Sequence, residues 1–184
     1  MEPGLRWQTL GLLSTAVLFS LTVWFSTNAI APALQLEKGF SDGNMAWLTI
    51  GVQLGFVAGT LIIATTNLAD LINTRIVFAI SAVLAGIANV ALVVTPGGFA
   101  TAMVFRVLSG VFLGGVYPPG MKIIAGWFHS NRGVAIGVMV AALTLGSGSP
   151  HLLRSVFVAE WETTLYISSA LAVLAGGIVY FLVK

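Results

Sequence analysis

The sequence predicts an all-α membrane protein with six transmembrane helices, and three observations carry that expectation. Hydrophobic residues make up 58% of the 184 residues and charged residues only 8%, with a mean hydropathy of +1.00. Soluble domains carry about 25% charge. The few charges bound long charge-free windows, such as Trp7 to Leu36 and Gly43 to Ala69, and roughly 20 apolar residues suffice for a helix to cross a bilayer. The apolar runs are continuous and do not alternate, which rejects a membrane β-barrel.

The first segment is expected at 8–34. It is too long for the apolar core of a cleaved signal peptide, and it holds the polar residues Ser26, Thr27 and Asn28. The second segment falls at 45–66. The next window, Ile76 to Phe105, is cut by Thr95, Pro96, Gly97 and Gly98, residues that signal a turn. The third segment therefore spans 76–94 and the fourth 99–127. The fourth contains Arg106 and is too long to cross straight. Pro118 and Pro119 remove two backbone donors from it, so it should bend near Tyr117 and carry Lys122 to the membrane interface. The fifth and sixth segments, 133–153 and 163–183, complete a single domain over 1–184.

The same composition excludes other classes. A secreted disulfide scaffold is ruled out because cysteine is absent. A formal charge of +2 without a basic cluster offers no footprint for nucleic acid. His129 and His151 are the only histidines, expected at opposite membrane faces, so no metal set or other cofactor site is implied. Gly146 and Gly148 lie in an apolar helix and do not form a phosphate loop between strand and helix. No enzymatic constellation appears. Lys and Arg in short loops set orientation. With a cytoplasmic N-terminus, Arg6, Arg75, Lys122, Arg132 and Lys184 lie inside, against Lys38 and Arg154 outside. Both termini are therefore expected in the cytoplasm.

Small residues mark close helix contacts in lipid. The second segment has Gly51, Gly55 and Gly59 on one face, the fourth has Gly110, Gly114 and Gly115, and the fifth has Gly133, Gly137 and Gly146. These ladders suit either packing inside one bundle or docking against another. Arg106 is the leading candidate for function, because a charge inside a membrane helix costs at least about 2.5–3.5 kcal/mol. It could face a cavity and attract an anion, or bond helix carbonyls. Trp24 and Asn28, four apart, and Gln53 are further polar or amphipathic candidates. His151 and Arg154 share a helix face and suit an interfacial pair.

Several motifs are spaced as in a known family. Asn67-Leu68-Ala69-Asp70 with Arg75 resembles the signature loop of the major facilitator superfamily, departing from it at Thr66, Leu71, Asn73 and Thr74. Arg106 followed by Gly110 and Gly114 resembles its fourth-helix motif. Gly126-Trp127-Phe128, Arg132-Gly133 with Gly137, Gly146 with Pro150, and Trp161 follow in the family's order. The chain is thus similar to the N-terminal half of that superfamily, nearest a nitrate or cyanate permease-like bacterial branch. The resemblance implies two inverted three-helix repeats in the bacterial cytoplasmic membrane. It also implies a cavity between this half and a second six-helix half, whether another copy or a separate chain. Asn28 and Tyr117 would then reach the substrate, Asp70 and Arg75 would gate, and the second and fifth segments would face the partner half. The function implied is alternating-access transport of a small solute, with an anion favoured by Arg106. A non-transporting subunit of a larger membrane complex and an inactive fragment stay open at this point.

Overall fold

The computed structural model describes residues 3–156 and 160–183, so Lys184, counted above among the inner charges, lies outside the described residues. Those residues form helices and no strand. In chain order they are α1 (Pro3–Leu21), α2 (Ser26–Ala29), α3 (Ala31–Lys38), α4 (Asp42–Thr65), α5 (Leu68–Leu71), α6 (Thr74–Val94), α7 (Phe99–Leu113), α8 (Tyr117–Trp127), α9 (Arg132–Val156) and α10 (Trp161–Leu182). Among the described residues, five stretches are long and apolar enough to cross a membrane: Asp42–Thr65, Thr74–Val94, Phe99–Trp127, Arg132–Ser155 and Trp161–Leu182.

The first segment differs from the continuous helix expected over 8–34 and is divided into α1, α2 and α3. Local hydrogen bonding explains the break. Backbone amides of Thr22, Val23 and Trp24 bond three residues back, to Phe19, Ser20 and Leu21, instead of four. The Thr22 and Ser26 hydroxyls donate to the Phe19 and Val23 carbonyls at 2.7 and 2.9 Å. Short hydroxyl side chains of this kind compete with the regular ladder and tighten the turn. The bend of the fourth segment falls at Gly114–Val116, just before Tyr117. Pro118 and Pro119 then occupy the first turn of α8, where missing amide donors have no helical partner to lose.

The glycine ladder of α4 is used inside the chain. A methyl on Gly55 would strike the Val107 carbonyl, one on Gly59 the Val111 carbonyl, and one on Gly110 the Val52 carbonyl. Gly114 completes the fit against the Gly59–Thr60 backbone. Two helices with opposed glycines at matching intervals bring backbone to backbone, and the close approach substitutes for a hydrophobic driving force that lipid does not supply. Gly146 lies against the Leu18 carbonyl of α1 in the same way. By contrast, a methyl on Gly133 or Gly137 would meet nothing within 4 Å. Elsewhere α6 packs on α10, while α1 contacts both α9 and α10. The core between them includes Leu13, Val17, Phe78, Met139 and Ala172, all fully buried.

A pair of substitutions separates the two kinds of glycine. Gly55→Ile should overpack the α4–α7 contact and lower the thermal midpoint in detergent by about 5 °C or more. Gly137→Ile should leave the midpoint unchanged. Equal midpoints for the two variants would contradict the interlocked packing.

Candidate functional site

Arg106 is the largest fully buried side chain among the described residues. Its Nη1 donates to the Val23 carbonyl at 3.1 Å and its Nη2 to the Trp24 carbonyl at 2.5 Å. These oxygens sit in the break between α1 and α2, where the helical ladder has lapsed. Of the two roles open to Arg106, bonding to helix carbonyls is the one seen here: with no exposed surface, it holds the backbone of the broken segment. The physical reason is the solvent. Hydrocarbon cannot satisfy freed carbonyls, so a donor from a neighbouring helix must. No carboxylate of the described residues pairs with Arg106, and its charge is met only by neutral oxygens.

Directly against this break is a cavity of about 380 Å³. Trp24, Phe25, Phe56 and Tyr117 wall it, with Leu21 and Leu143 beside them and Gln53 and Ser147 as its polar groups. Trp24 and Phe56 meet edge to face with centroids 4.9 Å apart. The cavity is thus lined from four parts of the chain: the broken first segment, α4, α8 and α9. Its wall carries no charged side chain. Trp24, Gln53 and Tyr117, three of the residues singled out in the sequence, come together here. Asn28 does not line the cavity. Its Nδ2 donates to Thr49 Oγ1 at 3.0 Å, tying α2 to α4.

The loop after α4 makes its contacts within the chain. Asp70 pairs with Lys122 of α8 at 2.5 Å, and the same ammonium donates to the Ala69 carbonyl at 2.6 Å. Arg75 makes a different contact; its Nη1 donates to the Val183 carbonyl. Asp70 and Arg75 therefore belong to two separate contacts at one end of the bundle. Of the six glycines considered for a partner interface, Gly51, Gly55, Gly59 and Gly146 pack inside the chain, and only Gly133 and Gly137 are open. At the other end, Trp161 Nε1 donates to Glu37 at 2.7 Å beside Arg154, Glu160 and Glu162.

Sequence reasoning missed Asn89. It is fully buried, accepts from Ser26 Oγ at 2.8 Å and donates to Ser169 Oγ at 3.0 Å. A lone asparagine amid the apolar run of α6 was the available signal, since such residues bond across helices in membranes. Phe25, Phe56 and Ser147 were also missed; nothing about an aromatic or a serine in an apolar run marks it as lining a cavity.

Comparison with known proteins agrees with this architecture. The family model described as Major Facilitator Superfamily matches residues 13–184. A galacturonate transporter of Dickeya chrysanthemi is 25% identical over 179 residues, covering 92% of this chain and 49% of that protein. The chain therefore spans about half the length of that relative. Among solved structures, a bacterial homologue of the human lysosomal transporter Spinster superposes in two inward-facing states. The unoccupied state gives a TM-score of 0.77 at 19% identity over 98% of this chain and 43% of that one. The occupied state gives 0.81 at 18% identity over 100% and 45%. At such identities the likeness concerns the fold.

Arg106→Ala leaves the Trp24 carbonyl without its donor, at a cost of about 1–3 kcal/mol, and leaves the Val23 carbonyl to Ser26 alone. The variant should insert but unfold at lower temperature, and amides of residues 22–30 should exchange faster. Unchanged exchange there would contradict the anchoring role.

Proposed function

The chain belongs to the major facilitator superfamily, and on that footing we propose that it forms one half of a secondary transporter for a small organic anion. Alternating access follows once a second six-helix half covers the cavity. The carrying observation is the aromatic cavity of about 380 Å³ and its polar groups. Flat rings suit the apolar face of a small solute, and Gln53 and Ser147 offer hydrogen bonds for its polar edge. An anion is supported by Arg106, whose charge lies one backbone group behind the wall and is unpaired by any carboxylate of the described residues. In a medium of low dielectric such a charge acts over a distance. The relative named for galacturonate and the nitrate or cyanate permease-like motifs both lean toward a small anion.

Two further observations support a covering half. The cavity takes part of its wall from α4 and α9, and Gly133 and Gly137 of α9 present an unfilled surface. The sixth crossing is the broken first segment. It starts at the end where Arg6 bonds Ser130 and reaches, through α3, the end where Glu37 bonds Trp161. Arg6, Arg75, Lys122 and Arg132 share the first end with Asp70, while Lys38 and Arg154 share the other with Glu37, Asp42, Glu160 and Glu162. That asymmetry supports a bacterial cytoplasmic membrane with both termini inside. The inverted three-helix repeats belong to the same reading.

A second reading, a non-transporting subunit within a larger membrane complex, draws on Asp70. Its carboxylate is already paired with Lys122 of its own chain, leaving less for an ion pair across two halves.

Native mass spectrometry after gentle extraction separates the readings: a two-half particle supports transport, and a fixed assembly with unrelated subunits supports the scaffold. In proteoliposomes of the two-half particle, labelled galacturonate should show saturable uptake. Gln53→Ala should raise KM about fivefold, the worth of one hydrogen bond. Arg106→Ala should abolish uptake while still inserting. Uptake unchanged by both variants would overturn the assigned cavity.

A further inference from the structure

We propose that the groove between α6 and α10 binds one anionic phospholipid, with an acyl chain along the groove and the phosphate on Arg75. This site is remote from the cavity wall and does not depend on the transport reading. The groove encloses about 380 Å³ and is lined almost wholly by apolar atoms, with Ala79, Gly176 and Gly177 among its lining residues and Val83 and Val173 beside them. It owes its depth to missing side chains: Gly176 sits close to the Ala79 carbonyl, and a methyl on Gly177 would meet nothing within 4 Å.

Tyr180 lines this groove and also a second pocket of about 280 Å³, whose other residues are Asn73, Arg75 and Ile76. The apolar trough thus leads past a tyrosine to a cation at the start of the membrane-crossing helix α6. Tyrosines sit preferentially at that depth of a bilayer. Arg75 is half-buried. It uses Nη1 for the Val183 carbonyl and Nε for Asn73 Oδ1 at 3.4 Å, and no carboxylate of the described residues pairs with it. An uncompensated guanidinium with a donor to spare, at the mouth of an acyl-sized groove, complements a phosphate that carries a chain. A free phosphate would leave the trough empty.

The test is native mass spectrometry of the full chain in detergent, with equal amounts of dioleoyl phosphatidylglycerol and dioleoyl phosphatidylcholine. The expected result is one retained lipid, with phosphatidylglycerol preferred about fivefold, the effect of one basic residue at an anionic surface. Arg75→Gln should bring the ratio near one, and Arg75→Lys should keep most of the preference. Gly177→Leu, whose Cβ has open space and whose side chain would occupy the groove, should lose both lipids. Equal retention of the two lipids by the unaltered chain, or a preference unmoved by Arg75→Gln, overturns the phosphate site. Lipid retention unmoved by Gly177→Leu overturns the groove. A doubled mass that Gly177→Leu abolishes would show that a second copy covers this face, and would overturn the proposal as well. If Arg75→Gln yields no folded protein, the Arg75→Lys and Gly177→Leu results decide.

Discussion

Two hydrogen bonds from Arg106 to the carbonyls of Val23 and Trp24 hold the point on which the architecture turns. A membrane helix normally satisfies its own backbone, because the hydrocarbon around it cannot. Here the first segment gives up that ladder for one turn. The break would be untenable with its oxygens bare; an arginine brought in by α7 donates to both, and the Ser26 hydroxyl shares the Val23 carbonyl. The break in turn sets Trp24 and Phe25 into the cavity wall. It also opens a buried polar layer, in which Ser26 bonds Asn89, Asn89 bonds Ser169, and Thr22 reaches the Ser168 carbonyl at 3.3 Å. One irregularity thus fastens α2, α6, α7 and α10 together and shapes the only part of the wall that comes from the first segment.

The packing around this point is of two kinds. Where backbones touch, as between α4 and α7, side chains are absent by necessity, and a carbon added at Gly55, Gly59 or Gly110 strikes a carbonyl. Where glycines face open space, the same residue type leaves an open surface, as at Gly133 and Gly137, or lines a hollow, as at Gly177. A small residue therefore has no single meaning in a membrane helix. Its role depends on what lies opposite, and the hollows are where something outside this chain has room to bind.

Much of the helical framework was legible because each segment's cost of leaving water is nearly a sum over its own residues. The windows around 45–66, 76–94 and 163–183 lie within a few residues of α4, α6 and α10. The turn at Thr95–Gly98 and the bend before Tyr117 were legible for a similar local reason, since proline and glycine act on their own backbone. The break at Thr22–Phe25 was not. Serine and threonine can bond a helical carbonyl without disrupting the helix, so their presence in the first segment left both outcomes open. Of the candidate site, Trp24, Gln53 and Tyr117 meet at the cavity, whereas Asn28 and Arg106 turn to helix partners.

Residue composition and order were thus enough for an integral membrane chain, for most of its segments, and for singling out Arg106 as a residue with a special task. These are properties that each segment carries alone. What that task is, which glycines meet backbone, and which aromatic rings share a cavity were settled only by the assembled bundle. Each depends on a pair of groups distant in the chain, such as Arg106 and Val23 or Gly55 and Val107, and no property of one segment states what another will bring to it.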